Sequence, residues 1–167
     1  MIISSRRVAT VSAAVLTTAV AIVGSATVSA EDGSFHGVFS ETAAGAADAY
    51  DIHGSVKMTI GSGGTRVTVN IAGLDPAKVY GSHLHNGTCA SGGGGHYQDV
   101  EGGAIVPPNE LWLSTNGAGL VPNAGGVAHG AGSATWAARV SSAVTNARSV
   151  IVHEPGSGAR IACADLR

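Results

Sequence analysis

Basic residues are scarce in this chain. Nine Lys and Arg stand against eleven Asp and Glu, and two of the nine, Arg6 and Arg7, lie at the extreme N-terminus. Without those two the formal charge is −4. Phosphate backbones bind a clustered cationic face, so no nucleic acid is expected as a partner. Cysteine is nearly absent as well. Cys89 and Cys163 are the only two, so they can pair with each other in one way only, closing a loop of 74 residues that the chain-entropy model values at about 4 kcal/mol. Long apolar repeats at helical spacing are missing after residue 30, which leaves strands joined by turns as the natural reading.

The first 30 residues differ from the rest. Met1 to Arg7 is a short basic start, Val8 to Val23 is apolar or small without charge, and Val28-Ser29-Ala30 offers the small residues a signal peptidase requires. Thr10, Ser12, Thr17 and Thr18 interrupt the apolar stretch, which falls short of the roughly 20 strongly apolar residues of a membrane span. A secretory signal peptide over 1–30 is predicted, with a single mature domain over 31–167 and no stable membrane span after cleavage. The absence of a cysteine just after Ala30 argues against a lipid anchor. The mature protein is therefore expected outside the cytoplasm, as an extracellular, periplasmic or cell-envelope protein. Such compartments favour disulfides.

Strand signals run through the mature part. Phe35 to Ser40 reads as a first strand, and Glu41 to Asp48 as a loop or helical turn. Val56, Met58 and Ile60 alternate with polar residues, the turn Gly61-Ser62-Gly63-Gly64 follows, and Val67, Val69 and Ile71 alternate again. This is a β-hairpin with one apolar face. Further strands are expected at Lys78–His85, Leu111–Leu113, Ser133–Val140, Arg148–His153 and Arg160–Leu166, with a glycine-rich loop over Cys89–Pro108 and a turn at Asn116-Gly117. Seven or eight short strands with regular turn punctuation predict an all-β sandwich or flattened barrel.

Histidine carries the chemistry. His83 and His85 are two apart in an extended segment, so both imidazoles face one side. His96 follows the run Gly92 to Gly95, which lets backbone approach closely and aim the ring inward. His153 ends the apolar run Val150-Ile151-Val152. Four imidazoles converging from separate strands suit copper, which favours nitrogen ligands in a tetragonal set. His36, His53 and His129 are isolated and read as surface or structural histidines, with His129 a distant candidate for an extra ligand. Trp112 and Trp136 read as packing residues.

The order and neighbours of these residues resemble the copper/zinc superoxide dismutase family. Gly81-Ser82-His83-Leu84-His85 is similar to its Gly-Phe-His-Val-His strand, Gly95-His96-Tyr97 to its Gly-Pro-His-Phe, Val150-Ile151-Val152-His153-Glu154 to its Val-Val-His-Glu, and Arg160-Ile161-Ala162-Cys163 to its Arg-Leu-Ala-Cys. The resemblance spans roughly Gly54 to Leu166. It implies a Greek-key β-sandwich of about eight antiparallel strands. It further implies His83, His85 and His153 as ligands of one copper ion, and His96 as the ligand that bridges to zinc in zinc-bearing relatives. Cys89 and Cys163 would form the family's disulfide, and Arg160 would orient the superoxide anion beside the metal.

The chain departs from the family in two places. No histidine lies between Tyr97 and Ala128, where the remaining zinc ligands are expected, and Asp99, Glu101 and Glu110 do not replace them. Zinc is not expected. Glu110 falls about where a zinc-ligating histidine would lie and is the favoured hydrogen-bond partner for the free nitrogen of His96, with Asp99 and Glu101 as rivals. The segment between His153 and Cys163 is also short, so the copper is expected to be open to solvent. Both features resemble the copper-only branch of the family, which implies a superoxide dismutase with Arg160 and His96 as catalytic residues. The competing expectation is a non-catalytic exported protein that buffers or delivers copper with the same ligands.

Overall fold

A computed structural model describes residues 32–140 and 146–167. The expected signal peptide lies outside the described residues, as do positions 141–145 of the connection after the expected Ser133–Val140 strand. The chain is all-β. Seven strands, β1 (Gly33–Glu41), β2 (His53–Gly61), β3 (Gly64–Ala72), β4 (Gly81–His85), β5 (Ala128–Ala134), β6 (Ser149–His153) and β7 (Arg160–Asp165), form one curled antiparallel sheet in the order β4-β6-β7-β1-β2-β3-β5. The only α-helix among the described residues is α1 (Ala43–Ala47), one short turn capped by Thr42, whose side chain accepts the Gly45 N–H.

The hairpin follows from its sequence. β2 and β3 pair from His53↔Ala72 to Gly61↔Gly64, leaving Ser62-Gly63 as the turn. Val56, Met58, Ile60, Val67, Val69 and Ile71 are all buried, while Ser55, Lys57, Arg66 and Asn70 are exposed, as a period of two requires. Phe39 from β1, Leu84 from β4, Val150 and Val152 from β6 and Ile161 from β7 complete the same core.

The expected strand at Ser133–Val140 lies earlier, at Ala128–Ala134. Its core-facing positions include two glycines, so no apolar alternation marks it. Both are required there: a Cβ on Gly130 would stand 2.2 Å from Leu120 Cδ2, and one on Gly132 would stand 2.3 Å from the Trp112 carbonyl. Leu111–Leu113 forms no ladder of its own. It crosses the gap between the sheet edges, bridging β4 through His83↔Trp112, while Ser114↔Ala131 reaches β5. That strap carries Glu110 and Trp112 to the histidines.

Candidate metal centre

β4 sets the floor of the site. Its alternation sends Leu84 into the core and His83 and His85 to the opposite face, both buried. β6 pairs with β4 so that His153 stands opposite Gly81. His96 arrives beside β4 through the His85↔His96 bridge, held by Tyr97 N–H to the Leu84 carbonyl at 2.9 Å and Asn86 N–H to the Gly95 carbonyl at 3.0 Å. One ligand nitrogen from each of His83, His85, His96 and His153 lies within 4.8 Å of every other.

Hydrogen bonding identifies which nitrogens face inward. His153 Nδ1 donates to the Gly158 carbonyl at 3.0 Å, and His96 Nδ1 donates to Glu110, 3.1 Å from Oε1 and 3.0 Å from Oε2. A carbonyl or carboxylate can only accept, so both rings carry a proton on Nδ1, which leaves Nε2 as the ligand atom each can offer. His85 Nε2 lies 3.3 Å from His153 Nε2. Its Nδ1 is buried and makes no hydrogen bond. His83 Nδ1 is buried with no hydrogen-bond partner. Orphaned buried polar atoms are rare in folded proteins. A metal ion taking the lone pair of His83 Nδ1 would give that atom a partner.

Electrostatics favour the same state. Burial, then the neighbouring histidines and Arg160, push His83 down to about 2 and His85 down to about 3. Burial also lowers His153, although the Gly158 carbonyl opposes it. The three rings stay neutral at ordinary pH, the form in which imidazole binds metal.

The surrounding residues hold this arrangement. Gly93, at φ +85°, packs its backbone against Ile151 and His85, and a Cβ there would lie 2.8 Å from Ile151 Cδ1. Arg160 opens β7 opposite His153, and its guanidinium donates to the carbonyls of Gly92 and Gly94. The Cys89–Cys163 disulfide, Cα–Cα 5.6 Å, ties the same loop to β7, and Asp165 Oδ1 accepts the Cys89 N–H at 2.8 Å.

Glu110 is the partner of His96. Its carboxylate is buried and also accepts from Gln98 Nε2 at 3.3 Å and Trp112 Nε1 at 2.8 Å. Asp99 pairs instead with Arg139, and Glu101 is exposed. Sequence reasoning missed Gln98, and it read Trp112 as a packing residue. Trp112 is in fact 44% exposed, its ring centroid 5.7 Å from that of His83. The signal was present, because Glu110 and Trp112 are two apart in an extended stretch and so share a face. Trp136 does pack, against Tyr97, and donates Nε1–H to the Pro108 carbonyl at 2.6 Å.

His36, His53 and His129 stand apart. His36 contacts Ser34, His53 contacts the Asp51 carbonyl, and His129 lies opposite Asn70 on the outer face of β5. Among the described residues the only other candidate metal group is Cys89, Cys163 and Asp165, whose sulfurs are bonded to each other. A recess of about 960 Å³ opens elsewhere, lined by residues of β1, β2, β3, β5 and β7. No helix among the described residues is long and apolar enough to cross a membrane.

No protein-family model matches the chain, and a search of curated proteins finds no match. The site therefore rests on its own geometry: a four-histidine cluster that can hold a metal ion.

Proposed function

We propose that this chain is an exported superoxide dismutase of the copper-only type, working with one copper ion on His83, His85, His96 and His153 and without zinc. The observation that carries the reading is that the far nitrogen of His96 is taken by the buried carboxylate of Glu110. In zinc-bearing members of the family that this sequence resembles, zinc occupies that place. An all-nitrogen set of imidazoles suits copper. A copper ion held there would supply the one-electron couple that oxidises one superoxide to dioxygen and reduces a second, with two protons, to hydrogen peroxide.

The protein's own residues do the rest. Glu110 keeps the Nδ1 proton of His96 in place, so Nε2 is the atom that can take up a proton and hand it to the peroxide product. Arg160 is permanently charged and has five N–H donors. Two contacts to Gly92 and Gly94 pin its guanidinium, leaving other donors for an anion. Only Glu154 to Ala162 lies between His153 and the disulfide cysteine, so Arg160 is the main local attractor. The disulfide supports an oxidising, exported location.

The test is to load the purified mature domain with one equivalent of copper and measure superoxide removal with a chelator present to suppress free copper. Chelator-resistant activity is expected. Tight binding without activity would leave a copper-buffering protein, and a zinc ion retained beside the copper would overturn the copper-only assignment.

A further inference from the structure

The Nδ1 side of the His153 ring is oriented by one hydrogen bond, to the Gly158 carbonyl. That carbonyl sits in the short turn joining β6 to β7. Pro155, Gly156, Ser157 and Gly158 are all exposed, and Gly156 and Gly158 have positive φ. Two backbone bonds close the turn, Glu154 N–H to the Ala159 carbonyl at 2.8 Å and Gly158 N–H to the Glu154 carbonyl at 2.9 Å. Both run through Glu154, so where Glu154 sits decides where the Gly158 carbonyl points.

Glu154 is held by its side chain. Its carboxylate, 12% exposed, accepts from Lys78 Nζ at 2.6 Å on Oε1 and from Tyr50 OH at 2.6 Å on Oε2. Lys78 Nζ also donates to Tyr50 OH at 2.9 Å. Because the single Tyr50 proton goes to Glu154, Tyr80 OH must donate to Tyr50 across their 3.0 Å contact, and Tyr80 in turn accepts the Asp75 N–H at 2.9 Å. Both tyrosine hydroxyl protons thus have one defined place. Tyr80 is buried and immediately precedes β4, so the cluster fixes the His153 turn relative to the strand of His83 and His85.

We propose that Tyr50, Lys78 and Glu154 form a clamp that positions His153 as a metal ligand, doing for the short β6–β7 turn what a longer packed loop would do. This rests on His153 being a copper ligand. None of the three is assigned a contact with the ion, so they are positioning residues.

The test compares Tyr50→Phe, Lys78→Met and Glu154→Gln with wild type, with His153→Ala, and with Thr65→Val. Thr65 bonds Trp136 and Ala138 away from the site and controls for general destabilisation. Each protein is titrated with Cu(II) against a competing chelator, and its copper EPR spectrum is recorded. The clamp variants are expected to bind one Cu(II) about tenfold more weakly with an altered hyperfine pattern, while Thr65→Val keeps wild-type values and only melts earlier. Wild-type affinity and spectrum in Tyr50→Phe and Lys78→Met, or an equal change in Thr65→Val, would overturn the clamp. A wild-type spectrum in His153→Ala would instead remove His153 from the ligand set, so the two failures are separable.

Discussion

Glu110 and His96 are joined by a two-oxygen contact, Nδ1 lying 3.1 Å from Oε1 and 3.0 Å from Oε2, with the carboxylate buried and the imidazole partly exposed. The buried partner is the fixed one. Trp112 and Gln98 hold the carboxylate from other sides, so His96 docks onto a preformed acceptor.

Replacing Glu110 with Gln keeps the shape but removes the charge and one acceptor oxygen. Copper affinity is expected to fall about 10- to 100-fold, in the range of other groups that orient metal-binding histidines. A competitive Cu(II) titration checks this, and unchanged affinity would show that His96 needs no carboxylate.

Trp112 is both a holder of Glu110 and a reporter of the site. Its ring lies 5.7 Å from His83, so copper binding is expected to quench tryptophan emission strongly. Trp112→Phe, which keeps a ring but loses the indole N–H, should abolish most of the quenching even though Trp136 remains. Quenching that persists in this variant would place the metal away from His83.

Acid should destabilise the metal-free protein. His83, His85 and His153 all have folded-state pKa values below the unfolded value of about 6.5. Above that pH the rings are neutral in both states and impose no penalty. Below it the unfolded chain takes up protons that the folded site refuses, so stability falls from about pH 6.5 downward, towards the folded values of about 3 and about 2 for His85 and His83. Urea midpoints at pH 7.5 and 5 are expected to differ for wild type and to converge in a His83→Asn/His85→Asn variant. An equal drop in that variant would assign the acid effect elsewhere.

The disulfide closes a 74-residue span. Reduction, or paired Cys89→Ser and Cys163→Ser substitution, is expected to cost about 2–5 kcal/mol of stability. It should also loosen the loop whose Gly92 and Gly94 carbonyls hold Arg160. Denaturant unfolding measures the first effect. Amide exchange at Gly92 to Gly95 measures the second and should rise well above that of the β2–β3 ladder.

Much of the fold was legible because it is written in alternation. Val56, Met58 and Ile60 opposite Val67, Val69 and Ile71 can bury a face only as a hairpin, whereas the β6 run Val150-Ile151-Val152 reads as a strand by its short continuous apolar character. β5 was misplaced because its inward positions include Gly130 and Gly132, which carry no side chain to alternate. The histidines stood out by spacing on β4 and by the glycine run before His96. Tyr50, Lys78 and Gln98 left no such mark, because their partners lie 104, 76 and 12 residues away in the chain.

The sequence alone determined the strand-rich class, the two cysteines that had only each other to pair with, and the four imidazoles, because alternation, count and residue type are local properties. Only the tertiary structure decided which carboxylate meets His96, which nitrogen of the His96 and His153 rings is left to face the site, and that Glu154 is anchored by Tyr50 and Lys78. Those choices depend on strands brought together across the sheet, where distances of about 3 Å separate a hydrogen bond from no interaction.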